Sequence, residues 1–148
     1  MKYLGFAIIL ACLFSCSPFG FNTAGYEEMD ENLYTAWART SSYTYIAETS
    51  DKQYCKSPKE FEADGGGDCE DFTGHLMYYV GEGQAVLVSF TRNGEHIDHY
   101  IMKYRGKYIE PQCLGKYIDL DKLGYKVLDT YSWADFMSRI TDFGTRDL

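Results

Sequence analysis

The sequence predicts an α+β domain, because helical and strand-like apolar patterns occupy different halves of the chain. Up to Gly83, apolar residues recur at three- and four-residue spacing, interrupted by Ser57-Pro58 and by the glycine run 65–67. Beyond that point alternating, strand-like segments appear, with Asn93-Gly94 and Arg105-Gly106 as hairpin turns. The expected core is a set of N-terminal helices, one bearing a cysteine at its tip, packed on an antiparallel β-meander.

Lys2 and the nearly uninterrupted apolar run from Leu4 to Phe14 read as a signal peptide over residues 1–15, too short for a stable membrane span. Leu13, Ser15 and Cys16 also fit a lipoprotein signal, in which Cys16 is lipidated and becomes the new N-terminus; simple cleavage nearby, releasing a soluble protein, is the alternative. Residues 16–25 form a tether and residues 26–148 a single domain with its own core. The expected location is therefore the cell envelope, at the membrane if Cys16 carries lipid and periplasmic or secreted otherwise. A net charge of −8 argues against a nucleic-acid partner. The 14 Tyr and 9 Phe indicate a packed body rather than a disordered chain.

Within the domain, Tyr26, Met29, Leu33 and Trp37 mark a first amphipathic helix, with Glu27, Glu28, Asp30 and Glu31 in its opening turns, where the helix dipole favours acids. Ser57, Pro58 and Glu60 supply an N-cap, a first-turn proline and a capping-box acid for a short helix from Pro58 to Ala63. A third helix starts at Cys69, carries Phe72, Leu76 and Tyr79, and ends at Gly81 and Gly83. Three strands follow, "AVLVSF", "HIDHYIMKY" and "KYIEPQ", and "YKVLD" adds a further one. Ser132 with Asp135 caps a last helix running to about Ile140, with Trp133, Phe136 and Ile140 as its packing stripe.

Five cysteines include Cys12 and Cys16 in the signal region, leaving Cys55, Cys69 and Cys113 in the domain. In an oxidising compartment one partition pairs Cys55 with Cys113 and leaves Cys69 as a thiol; three unrelated buried thiols are the other. Cys69 draws attention because unpaired N–H groups at a helix start favour thiolate over thiol, yet Asp68, Glu70 and Asp71 surround it with negative charge. A nucleophile further needs an imidazole within reach and a group to orient it. His75 lies six residues along the same helix, about 9 Å away on the axis and about 240° around it, and so cannot serve. His96 and His99 differ by an odd number and face opposite sides of their strand. With a two-residue turn at Arg105-Gly106, Lys103 pairs with Tyr108, and Glu110 becomes the diagonal neighbour of His99, about 7–8 Å between backbones. Gln112, directly opposite His99, is a second candidate for the orienting role; a three-residue turn would move Glu110 to the face of His96. Zinc binding by these histidines and cysteines is disfavoured, since there is no Cys-x-x-Cys pair and the two histidines face apart.

The stretch "SPKEFEADGGGDCEDFTGHLMYYV", followed by "HYIMKYRGKYIEP", resembles the bacterial transglutaminase-like cysteine peptidases of the transglutaminase and papain-like superfamily. The resemblance covers about residues 53–112. It implies that core fold, Cys69 as nucleophile, His99 as base and Glu110, where the family usually carries aspartate, as orienting acid. It further implies a peptidase or amidase, exported according to the signal segment, acting on a protein or peptide substrate through a thioester, with no cofactor required for the chemistry. Members of this branch can bind calcium through acids beside the cysteine, which here are Asp68 and Glu70; a hard cation held by them would cancel the local negative field. Alternatively, those acids only complement the helix start. An oxyanion donor is expected in the main-chain N–H of Cys69, with Gln53 or its neighbourhood as the alternative. If an amine replaces water, the same machinery is a crosslinking transglutaminase. A binding module of the envelope, with little turnover, is the alternative from another class.

Overall fold

The computed structural model describes residues 28–47 and 55–144. The signal segment, Cys16, the tether, the start of the first expected helix and Gln53 lie outside them. Helix α1 spans Glu31–Ser41. It begins later than the Tyr26 periodicity suggests, because Asp30 is not a first-turn acid but the N-cap, accepting from Leu33 N at 3.0 Å. Helix α2 (Pro58–Asp64) opens with the expected Ser57/Glu60 capping box and closes on Gly65 in the left-handed region.

Two short strands absent from the sequence reading follow from the other glycines. Strand β1 (Thr44–Tyr45) runs parallel to β2 (Gly66–Gly67). A Cβ on Gly66 would sit 1.8 Å from the Thr44 carbonyl oxygen, and one on Gly67 would sit 2.2 Å from Asp71 Oδ2. Only glycine permits these approaches, and they place the chain directly before helix α3, Cys69–Val80.

The sheet is antiparallel, with order β6-β5-β4-β3-β7. It comprises β3 (Gln84–Arg92), β4 (Glu95–Tyr104), β5 (Lys107–Ile109), β6 (Tyr117–Ile118) and β7 (Lys126–Ser132). Lys103 pairs with Tyr108 across the Arg105-Gly106 turn, the register expected for a two-residue hairpin. Strand β5 stops at Ile109 rather than reaching Gln112. Pro111 offers no N–H to a ladder, and the Glu110 carbonyl accepts from Trp37 Nε1 at 3.0 Å instead. The "YKVLD" segment is the outer strand β7, paired with β3 on the side away from β4. Short helix α4 (Leu120–Leu123) precedes it, and α5 (Trp133–Gly144) follows it, with Asp135 N donating to Ser132 Oγ at 3.1 Å.

The sheet separates two apolar layers. Ala85, Met102, Tyr104 and Ile109 face one side, where they pack with Leu76 and Met77 of α3 and Phe136 of α5. Val86, Val88 and Ile101 face the other, with Ile118, Leu114, Leu120, Leu123 and Tyr125. Trp133 is 37 % exposed rather than part of a buried stripe, and its indole N–H donates to the Met77 carbonyl at 3.2 Å. Among the described residues, no helix is long and apolar enough to cross a membrane.

Candidate active site

Cys69 is the first residue of α3, and the loop that delivers it is tightly held. Asp68 caps the helix, its Oδ1 accepting from Glu70 N at 3.0 Å and Asp71 N at 3.3 Å. Asp71 reciprocates, accepting Asp68 N on Oδ2 at 3.1 Å, and fastens the preceding strand of chain by accepting Lys56 N on Oδ1 at 2.6 Å. The thiol is therefore set by a capping box and half-buried.

His99 lies on β4 and Glu110 just past the end of β5, both on the face that carries Val88 and Ile101. His99 Nε2 meets Glu110 Oε2 at 2.8 Å, with side-chain exposures of only 9 % and 4 %. The Cys69 side chain is the other hydrogen-bond partner of the imidazole. Since Nε2 faces Glu110, Nδ1 is the nitrogen turned toward sulfur. Burial opposes charge on this ring, but the Glu110 carboxylate, the hydrogen bond with Cys69 and that with Glu110 raise its pKa well above the ordinary histidine value.

Further contacts hold the acid. Gln112 N donates to Glu110 Oε1 at 3.5 Å, so Gln112 reaches the carboxylate through its main chain, and Glu110 is the residue that meets the imidazole. Tyr125 OH donates to Glu110 Oε2 at 3.5 Å, and its ring lies 6.1 Å from that of His99 and 5.0 Å from that of Phe90. Sequence reasoning passed over Tyr125, Phe90 and the role of Trp37. The available signal was weak: a tryptophan in a core stripe must find a partner for its N–H, whereas the nearness of Tyr125 depends on β7 returning beside β3.

The remaining histidines stand apart. His75 is buried in α3, with Nδ1 2.9 Å from Thr40 Oγ1 and Nε2 3.2 Å from Glu62 Oε1. His96 is exposed and pairs with Asp98 at 3.1 Å. The Cys55–Cys113 pairing is not formed: all three domain cysteines are thiols. Cys55 lies under the start of α3, its Sγ 3.5 Å from the Glu70 carbonyl, whereas Cys113 lines a cavity beside Glu110. Burial first, and then Asp71, Glu70 and Asp68, push the Cys55 thiol well up.

Burial and Asp68 raise Asp71 to about 7, and burial raises Asp68 itself despite its N–H partners. Negative potential thus concentrates in front of the helix, which suits a hard cation in sign. The donors are fewer than such an ion prefers, since Asp68 Oδ1 is already engaged in capping the helix. Among the described residues, no group of three or more His, Cys, Asp or Glu is arranged to hold a metal ion.

No family model matches the sequence, and no curated protein matches it. The fold is similar to that of Legionella pneumophila LapG, at 21% identity and a TM-score of 0.53, over 68% of this chain and 64% of that one. The chain thus spans under two thirds of the length of that structure. An EGTA-treated structure of Legionella pneumophila LapG matches at 19% identity and a TM-score of 0.52, over 74% of this chain and 77% of that one. At this identity the likeness concerns the fold alone, and it is consistent with the α+β core described above.

Proposed function

We propose that the chain is an exported cysteine-dependent acyl-transfer enzyme, a peptidase or amidase acting on a protein or peptide. The observation that carries the reading is the imidazole of His99, held between the Cys69 thiol and the buried Glu110 carboxylate. The fold likeness to LapG and the sequence resemblance to transglutaminase-like cysteine peptidases support the same class. Cys69 Sγ passes its proton to His99 Nδ1 and attacks the scissile carbonyl. The main-chain N–H of Cys69, unpaired within the helix, donates to the developing oxyanion. His99 then gives its proton to the departing nitrogen, the C–N bond breaks, and a thioester remains. Water, deprotonated by His99, attacks the thioester, and the C–S bond breaks as the acid is released. Glu110 keeps Nδ1 aimed at sulfur and stabilises the imidazolium through both transfers.

Iodoacetamide labelling near neutral pH tests the reading. Cys69 should alkylate rapidly and selectively over Cys55 and Cys113, and His99→Ala should slow it by about 10-fold or more. Labelling at the rate of an ordinary thiol in both proteins would instead indicate a binding module. EGTA chelates calcium, so the EGTA-treated LapG structure supports carrying calcium into the proposal, and the sequence resemblance supplies Asp68 and Glu70 as its place. When bound there it would supply positive charge beside the thiolate, and its loss on chelation should then slow Cys69 labelling; labelling indifferent to EGTA leaves the two acids as helix-start charges only. Residues 1–16 support export with a lipid on Cys16, which palmitate incorporation, lost in Cys16→Ser, would check.

A further inference from the structure

We infer that the cavity beside Glu110 is a subsite for an apolar side chain on the leaving-group side of a peptide substrate, an inference that rests on the acyl-transfer reading above. The cavity holds about 230 Å³ and is walled by Phe90, Leu114, Leu123 and Tyr125, with Glu110 among its lining residues. Sites for whole small molecules run to about 300–1,000 Å³, so this one is sized for a single side chain. Among the described residues, a second and larger cavity of about 540 Å³ lies between α1 and the far end of α3, away from the thiol and imidazole.

The chemistry fixes which part of the substrate comes near. The proton taken from Cys69 must be returned to the departing nitrogen, so the chain beyond the scissile bond has to pass over the His99 ring. Two residues that flank that ring, Phe90 at 6.4 Å and Tyr125 at 6.1 Å, are also walls of the cavity. An extended chain advances about 3.3 Å per residue, so a side chain one or two residues past the bond reaches it.

The lining selects its occupant. Phe90 and Tyr125 pack at 5.0 Å and share the lining with Leu114 and Leu123, while Arg92 and Lys122 also border the cavity. Leu114 is held at φ 80, a left-handed conformation costly for a residue with a branched side chain. Backbone strain of this kind concentrates at ligand clamps. A leucine or phenylalanine side chain seated here would also exclude water from the Glu110–His99 pair, strengthening it while the ring holds the proton taken from Cys69.

Acyl-enzyme partition tests this. Cys69 is acetylated with p-nitrophenyl acetate, and glycinamide, leucinamide or phenylalaninamide is offered as the acceptor. Its nitrogen attacks the thioester, a C–N bond replaces C–S, His99 takes the amine proton, and the N-acetyl amide is weighed by mass spectrometry. Leucinamide and phenylalaninamide should capture the acetyl group about 10-fold better than glycinamide. That ratio should collapse in Leu123→Arg and shift toward phenylalaninamide in Leu123→Ala. Equal capture by all three amines, or a preference unchanged in both variants, overturns the subsite. Failure to form any acetyl-enzyme overturns the acyl-transfer reading instead. The cavity is then judged by NMR titration of the full chain: N-acetylphenylalaninamide should shift the methyl signals of Leu114 and Leu123 and N-acetylglycinamide should not, and no shift from either overturns it.

Discussion

At the scale of single residues, Glu110 decides how the imidazole behaves. Its carboxylate is the leading cause that raises the His99 pKa against the effect of burial. Glu110→Gln keeps the shape and removes the charge, so the His99 ring, followed by NMR, should titrate at lower pH than in the wild type. The sign follows from linkage: a raised histidine pKa contributes stability that is fully present below about 6.5 and is lost as pH rises through the folded value. The variant should therefore lose stability most on the acidic side of that window. Glutamate reaches Nε2 because its backbone sits beyond the ladder, drawn aside by Trp37, whose indole N–H takes the Glu110 carbonyl at 3.0 Å. This residue-level site was largely legible in the sequence: parity separated His99 from His96, and the two-residue turn put Glu110 on the right face. What could not be read was the surround. Phe90 meets the ring across the β3–β4 hairpin, whose exact register the Asn93-Gly94 turn alone does not fix, and Tyr125 reaches it from a segment distant along the chain.

At the scale of elements, the start of α3 holds the thiol in place through caps rather than through packing. Asp68 accepts from two main-chain N–H groups, and Asp71 returns the bond. Asp68→Ala should lower the unfolding free energy by about 1 kcal/mol, read from urea denaturation. It should also slow Cys69 alkylation, because the first turn would fray at the reacting atom. The helices were readable from caps and periodicity, and the Ser57/Glu60 box fell where expected. The two short parallel strands were not, since a glycine signals permissiveness without saying what comes close. Here it is the Thr44 carbonyl, which would stand 1.8 Å from any Cβ on Gly66. Strand β6 escaped for a related reason: two residues carry no period.

At the scale of the molecule, three helices meet on one carboxylate. Glu62 of α2 accepts from Arg39 of α1 at 2.8 Å and from Tyr79 of α3 at 2.6 Å, and it faces the buried His75 ring at 3.2 Å. Burial lowers the His75 pKa, only partly offset by its hydrogen bond to Glu62 and that charge, with Arg39 adding to the lowering. The unfolded chain then binds more protons at this position below pH 6.5, so its contribution to stability falls as the solution is acidified through that range. Comparing urea midpoints of wild type and His75→Asn between pH 7 and pH 5 should show a smaller acid-induced loss from this group in the variant, with Cys69 alkylation little changed. The architecture as a class was legible from the change of period, but the place of β7 was not, because a short apolar strand does not announce its neighbour. That placement has a consequence for handling the protein. Strand β7 forms the outer margin of the sheet and shows Val127 at 40 % and Leu128 at 46 % exposure. Such a border invites a second molecule to zip alongside, with Lys126 and Asp129 as the charges that discourage it. Dilute, low-salt solutions, in which like charges repel over longer distances, are the conditions that should keep neighbouring copies apart.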